Sequence, residues 1–266
     1  NSSFTIVGSE LRTAEVFDYD AQSSYSIRVR STDAGGLSVE EAFTITVEQA
    51  LADLQITGFS AQSSYEPNGT ADWRVDYVVD SATMTAFRIG FYRSAENVNA
   101  DVLLQEYVVT APADLVAGTH SVLVRPDFVD VDSDYYLLAR LDSAGVIPEV
   151  DETNNQMRFG GGFFQSTDGT IHYQGTDGAD VIVLSDSETA PLSITSDGVP
   201  SGSLSGYSRI RARLHAGNDR FSISTPWTPV AAWGGAGDDQ IVTGGGNDVL
   251  IGGDGADFLC AGLGAD

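Results

Sequence analysis

Aspartates recur every nine residues at the end of the chain, at Asp239, Asp248, Asp257 and Asp266. Glycine occupies the second and fourth places of all four copies and the first place of two, and an aliphatic side chain stands two residues after each of the first three aspartates. Glycine permits backbone conformations with positive φ and the close approach of neighbouring turns. Each copy therefore predicts a tight turn followed by a short strand, and the carboxylates are the groups that could do chemistry.

Two such copies make one flattened coil, so residues two copies apart are expected to stack in successive coils. This pairs Asp239 with Asp257 on one edge and Asp248 with Asp266 on the other. Carboxylates at strand spacing, about 4.8 Å, repel one another unless a cation lies between them. Calcium fits because it takes oxygen ligands in irregular geometry, whereas magnesium demands a tighter octahedron. The glycine-rich turns are expected to add backbone carbonyls, those of Gly234, Ala236, Gly253 and Gly255.

Residues 234–266 resemble the hemolysin-type (RTX) calcium-binding repeat, whose pattern is G-G-x-G-x-D-x-U-x with U a large aliphatic residue. The resemblance implies a parallel β-roll, calcium between stacked turns and export to a calcium-rich exterior. It departs at Thr243 and Ala261, where the first glycine is missing. Solitary copies around Asp180 and Asp219 leave two readings open: further calcium ligands, or lone turns without a stacked partner.

Residues 4–47 show the period-two alternation of strands at 25–30 and 42–47, joined by a turn at Gly35 and Gly36. On these residues the stretch resembles the C-terminal half of a bacterial cadherin-like repeat. The resemblance implies calcium ligands at Asp18, Asp20 and Asp33, and the alternative is ordinary solvated turn carboxylates. Since half a repeat could hardly fold alone, we expect an excerpt of a longer chain or a domain that needs a partner strand.

Residues 51–160 alternate in the same way, for example at 73–79 and 87–92, with turn residues between the strands. The stretch resembles the bacterial CARDB cell-adhesion domain, above all at 135–142 and in the Val150–Asn155 segment. The resemblance implies a seven-stranded sandwich without activity of its own. The alternating Asp130, Asp132 and Asp134 superficially match the start of an EF-hand, but a solvated acidic loop is the favoured interpretation.

The amino-acid composition limits the classes of partner that we expect for this chain. The formal net charge of −25, from 13 basic and 38 acidic side chains, argues against binding to nucleic acid or insertion into membranes. The single cysteine excludes an internal disulfide and leaves a metal as the stabilising cross-link. Gly160–Gly162 is expected to be a hinge. We divide the chain into four segments: 1–49 (half cadherin-like sandwich), 50–160 (CARDB-like sandwich), 161–233 (irregular β-roll coils) and 234–266 (RTX repeats).

The whole chain is therefore expected to be all-β, with Ig-like or cadherin-like β-sandwich modules followed by a parallel β-roll, the RTX β-solenoid. The three histidines are far apart in sequence and no nucleophile motif is present, so we expect no enzyme. The leading hypothesis is a calcium-stabilised structural or adhesive segment of a large secreted bacterial surface protein, located outside the cell. Its expected partners are calcium ions and either copies of itself or neighbouring domains. The rival hypothesis is the RTX export and folding tail of a secreted toxin or hydrolase.

Overall fold

The computed structural model describes residues 2–19, 21–48, 51–61, 72–80, 85–96, 99–187, 190–197 and 199–266. The architecture is all-β, as predicted: 22 strands and a single 3-10 turn at Pro112–Asp114 make up its regular structure within these ranges. The chain divides into two compact units, Asn1–Leu51 and Ala52–Asp266. Among the residues described, no helix is long and apolar enough to span a membrane.

The first unit consists of two β-hairpins. Its strands are β1 (Phe4–Val7), β2 (Glu10–Thr13), β3 (Ser24–Thr32) and β4 (Ser38–Thr46). β1 pairs with β2 and β3 pairs with β4, both antiparallel. Among the described residues of this unit only Ile27 is a buried apolar side chain, while Val39 is 74% and Phe43 45% exposed. The described residues of this unit therefore contain little hydrophobic core.

The second unit begins with a sandwich of seven strands in two antiparallel sheets. One sheet has the order β5-β6-β9 and the other β11-β10-β7-β8. Buried apolar residues alternate along β6, where Trp73, Val75, Tyr77 and Val79 face the core between the sheets. The strands are β5 (Leu54–Ala61), β6 (Trp73–Val79), β7 (Phe87–Ser94), β8 (Val102–Val109), β9 (Gly118–Val124), β10 (Tyr136–Arg140) and β11 (Gln156–Arg158).

A roll of two facing sheets follows the sandwich in the same unit. Its first sheet has the order β12-β13-β17-β19-β21 and its second the order β16-β15-β14-β18-β20-β22. Ile182, Ile210, Phe221, Ala232 and Ile241 belong to its core, which is separate from that of the sandwich. The strands are β12 (Gly162–Gln165), β13 (Thr170–Gln174), β14 (Val181–Ser187), β15 (Ala190–Ser196), β16 (Val199–Leu204), β17 (Arg209–Arg213), β18 (Arg220–Ser224), β19 (Val230–Ala236), β20 (Gln240–Val242), β21 (Val249–Asp254) and β22 (Phe258–Cys260).

Successive coils of the roll pair in parallel, and their spacing in sequence becomes regular towards the end. Ala231 pairs with Val249 and Gln240 with Phe258, which is the predicted offset of two copies of the repeat. The preceding coil is slightly longer, as the pairing of Arg220 with Gln240 shows. The first step, from Val181 to Arg220, is much longer because the hairpin β15–β16 lies between them. The irregular region is therefore built as coils of the same roll.

The junction between sandwich and roll is packed rather than hinged. Gly160 donates its amide to the carbonyl of Phe59 at 2.8 Å. Phe164, on the first strand of the roll, is fully buried in the core of the sandwich, 5.3 Å from Trp73 between ring centroids. The expectation of a hinge at Gly160–Gly162 is wrong because the chain carries an aromatic side chain into the neighbouring core immediately after it.

The acidic loop of the sandwich forms the second half of this junction. Arg213 is fully buried, and its guanidinium donates to both carboxylate oxygens of Asp130 at 3.2 Å and to the carbonyl of Ser133 at 2.9 Å. Arg211 also pairs with Asp130, at 3.0 Å. The interpretation of this loop as solvated is wrong for Asp130, whose side chain is 3% exposed. Arginines from a distant part of the chain, on the roll, provide the compensating charge.

Candidate metal centre

One edge of the roll carries a ladder of four aspartates, one in each successive coil. The backbone amide of Asp180 donates to Oδ1 of Asp219 at 2.8 Å, and the amide of Asp219 donates to Oδ1 of Asp239 at 2.8 Å. The amide of Asp239 then donates to Oδ1 of Asp257 at 3.0 Å. The structure thus brings Asp239 and Asp257 together as predicted. It also places Asp180 and Asp219, for which two readings were open, in the same ladder.

The opposite edge carries the second predicted pair. The amide of Asp248 donates to Oδ1 of Asp266 at 3.0 Å. One coil earlier the amide of Val230 donates to Oδ1 of Asp248 at 2.9 Å, and there the position of the aspartate itself is taken by an apolar residue. This ladder is therefore shorter than the first.

The second carboxylate oxygen of three ladder residues has no protein partner. Oδ2 of Asp219, Asp239 and Asp248 is buried and accepts no hydrogen bond from the described residues, and each of these three residues is 2% exposed. Burial raises the pKa of Asp219 to about 7, and the neighbouring charges of Asp239 and Asp180 add to the effect. Burial likewise raises the pKa of Asp239. Buried carboxylates of this kind are stabilised by a cation that supplies the missing contact.

Backbone carbonyls supply further oxygen atoms beside the free carboxylate oxygens. A Cβ built on Gly234 would meet Oδ2 of Asp239 and the carbonyl of Gly252. Gly237 has φ +132°, and a Cβ there would meet the carbonyl of Gly217 in the preceding coil. Glycine is required at both positions because any side chain would fill the space next to these oxygens. The sequence did not single out Gly252 as a carbonyl donor.

The carbonyls proposed from the sequence stay predictions, and one of them already has a partner. The carbonyl of Ala236 accepts the amide of Gly217 at 2.8 Å. No three His, Cys, Asp or Glu side chains converge as a metal cluster within the described ranges. The oxygens beside Gly234 are instead one carboxylate oxygen, Oδ2 of Asp239, and one backbone carbonyl, that of Gly252. Such an all-oxygen set suits a hard cation such as calcium.

The acidic residues of the first unit lie in turns. Oδ1 of Asp33 accepts the amides of Gly35 and Leu37, each at 2.9 Å, which caps the turn between β3 and β4. Asp18 is exposed, and its Oδ1 accepts the amide of Ala21 at 3.4 Å. Asp20 lies outside the described residues. Calcium binding at these three positions stays a prediction.

The fold assembles one contact that the sequence did not reveal. Nε2 of His172 lies 3.0 Å from Oγ of Ser166, and its Nδ1 lies 3.7 Å from Oδ2 of Asp130. Ser166 is buried and its hydroxyl also donates to Asp168 at 2.6 Å. Burial lowers the pKa of His172 to about 3, too low for an effective base near neutral pH. The sequence could not reveal this contact because Asp130 lies in the sandwich, far from Ser166 and His172 along the chain.

The comparisons with known proteins address the end of the chain. The sequence model of the RTX calcium-binding nonapeptide repeat matches residues 233–266 in four copies. The comparison with curated proteins and the comparison with solved structures each gave no match. RTX repeats bind calcium and are typical of secreted proteins. Residues 233–266 therefore contain RTX calcium-binding repeats, and Asp239, Asp248, Asp257 and Asp266 of the aspartate ladders lie within them.

Proposed function

We propose that this chain is a non-catalytic, calcium-stabilised structural or adhesive segment of a large secreted bacterial surface protein, such as an adhesin, a surface-layer protein or an extracellular fibre subunit. The observation that carries this proposal is the junction between roll and sandwich. The roll, whose order would depend on calcium, is joined to the sandwich through the buried Phe164 and Arg213. Calcium bound in the roll would then stabilise the whole of the second unit, Ala52–Asp266.

Calcium would be held along the two ladders. The free oxygens of Asp219, Asp239 and Asp248 and the carbonyl of Gly252 are the donors that fit it. When bound, the ion supplies positive charge between carboxylates that otherwise repel one another. Calcium sites of extracellular modules bind with dissociation constants of about 10⁻⁴–10⁻³ M, so the ladders would fill outside the cell and stay empty in a calcium-poor cytosol.

The upstream modules support an adhesive role. Among its described residues the sandwich has seven strands in two sheets. The first unit, which resembles half of a cadherin-like repeat, exposes apolar side chains such as Val39 and Phe43. Exposed apolar strand faces are places where a neighbouring module or a second copy of the chain can pack.

The buried Ser166–His172–Asp130 contact supports the absence of catalysis. The hydroxyl, the imidazole and the carboxylate are each almost wholly buried. Asp130 is engaged by two arginines, and the imidazole stacks on the ring of Phe164 at 4.7 Å between ring centroids. A hydrolase needs its nucleophile to reach a substrate, so these residues serve the packing of the junction.

A bead-clustering assay tests the proposal. Beads coated with the full chain are mixed at millimolar calcium and in chelator, with circular dichroism reporting whether the roll is folded. We expect clusters in calcium that disperse in chelator, and no clusters with the Asp219→Ala/Asp239→Ala double variant. Beads that stay dispersed in calcium while the roll is folded would contradict an adhesive role and favour the export-tail hypothesis.

A further inference from the structure

The sandwich contains a group of buried oxygen atoms where β10 ends and β11 begins. Asp142 follows β10, Asn155 precedes β11, and these two strands are antiparallel neighbours. The amide of Leu141 donates to the carbonyl of Asn155 at 2.8 Å, so the pairing continues to the edge of this group. Glu149 lies in the loop between the two strands and reaches the amide group of Asn155 at 2.9 Å.

The protein satisfies only part of this group. Oδ2 of Asp142 accepts the amide of Ile147 at 2.7 Å, and Oε2 of Glu149 accepts the amide of Leu54 at 2.6 Å. Oδ1 of Asp142 and Oδ1 of Asn155 are buried and accept no hydrogen bond from the part of the chain that the structure describes. Both side chains are 2% exposed, and Glu149 is 7% exposed. Buried oxygens without a donor are rare in folded proteins and call for an ion or an ordered water.

The charge of this group is also uncompensated. None of the ion pairs found among the described residues includes Asp142 or Glu149. Burial raises the pKa of Glu149, the hydrogen bonds from Leu54 and Asn155 oppose this rise, and the nearby charges of Glu152 and Asp142 add to it. Two buried carboxylates without a cation are strongly destabilising unless a proton or a bound cation neutralises them.

From this geometry we infer that the sandwich has its own site for a hard divalent cation, with Asp142, Glu149 and Asn155 as ligands. Calcium is the ion that we expect there. The site lies in the sandwich and is separate from the aspartate ladders of the roll. Carboxylate and amide oxygens are the donor types that calcium takes in proteins. Both oxygens of Glu149 accept hydrogen bonds, Oε2 from the amide of Leu54 and Oε1 from the side chain of Asn155, and neither contact requires a proton on the carboxylate.

The local backbone is built for this arrangement. Asp142 has φ +40°, an uncommon conformation for a residue other than glycine, and its carbonyl accepts the amide of Gly145 at 2.8 Å. The turn therefore holds the Asp142 carboxylate inward, where it is buried. The neighbouring Asn154 donates to Oδ2 of Asp53 at 2.9 Å, and its own Oδ1 is buried and has no partner within the described ranges. A third free oxygen thus lies on the same segment.

The calcium content of the full chain tests this site. Equilibrium dialysis at millimolar calcium followed by elemental analysis gives the number of ions bound by the wild type, by Asp142→Asn and by Glu149→Gln. Both substitutions keep the size of the side chain and an acceptor oxygen while removing the charge. We expect each variant to bind one ion fewer than the wild type. Glu152→Gln, which changes an exposed carboxylate in the same loop, should bind the full number.

Two further results decide the remaining cases. An unchanged ion count in folded Asp142→Asn, with folding checked by tryptophan fluorescence, would overturn the site and leave a proton or a water as its occupant. If neither charge variant folds, a crystal of the wild type soaked with terbium replaces the variants. An anomalous peak between Asp142 and Asn155 supports the site, and a crystal with terbium in the roll and no peak in the sandwich overturns it.

Discussion

Replacement of Arg213 by methionine tests whether roll and sandwich are energetically one unit. Arg213 is fully buried and its guanidinium lies over the rings of Tyr135 and Trp233, at 3.9 Å and 4.8 Å from their centroids. It donates to Asp130 and to the carbonyls of Val131 and Ser133. Although burial opposes it, the charge of Arg213 holds the pKa of Asp130 below its usual range. The substitution leaves a buried carboxylate with less compensation.

The magnitude follows from these contacts. Removing one partner of a buried ion pair costs about 3–5 kcal/mol. Because Arg211 and the hydroxyl of Tyr135 still contact Asp130 at 3.0 and 2.7 Å, we expect the lower end, about 3 kcal/mol. Methionine retains much of the apolar contact with the two rings, so the loss reports mainly on the charge and the hydrogen bonds.

Urea unfolding of the full chain in millimolar calcium, followed by tryptophan fluorescence, measures the effect. Arg220→Met is the matched control because Arg220 is exposed on β18 of the same roll, and it should change the free energy of unfolding by less than about 0.5 kcal/mol. We further expect the wild type to lose sandwich and roll in one transition and Arg213→Met to separate them. Equal stability of the two variants would refute the coupling of roll and sandwich.

Three further predictions follow from the packing and the ladders. Phe164→Ala should lower the free energy of unfolding by about 3–5 kcal/mol in the urea assay, because it empties a space in the sandwich core from a strand of the roll; a loss confined to the roll signal would contradict this. Gly237→Ala should prevent calcium-induced folding of the roll, measured by circular dichroism, because the φ of +132° at Gly237 and the carbonyl of Gly217 exclude a Cβ. The control Gly178→Ala should fold normally, since the nearest atom to the added Cβ is 3.7 Å away. In calcium-free buffer, raising the pH from 5 to 8 should make Asp219→Asn more stable relative to the wild type by about 1–3 kcal/mol. The reason is that the folded-state pKa of Asp219 is raised to about 7, so the wild type loses the stabilising effect of protonation as the pH rises through that value. Urea stabilities of the two proteins that change in parallel across this range would contradict the prediction.

The regular part of the fold was accessible from the sequence. The aspartates at fixed spacing predicted the pairs Asp239–Asp257 and Asp248–Asp266, since each copy of the repeat contributes one turn and one strand. Alternating apolar residues predicted sandwich strands such as β6 because each side of a strand faces one environment. Both signals are local, so no knowledge of distant partners was needed.

What the sequence did not show depends on contacts between distant segments. Asp180 and Asp219 belong to the ladder, but the hairpin β15–β16 breaks the regular spacing that would have revealed them. Asp130 looked solvated because its arginine partners come much later in the chain. Phe164 follows a run of glycines closely, and only the packed structure shows that this segment enters the sandwich core.

Hydrogen exchange of the full chain, with and without calcium, tests the central claim that calcium orders the aspartate ladders. The amides of Asp219, Asp239 and Asp248 donate to ladder carboxylates and report on each step of the stack. We predict that millimolar calcium slows exchange at these amides by at least about 100-fold relative to chelator, which corresponds to about 2.7 kcal/mol of stabilisation. Exchange at the same rate in both conditions would mean that calcium does not order the ladders.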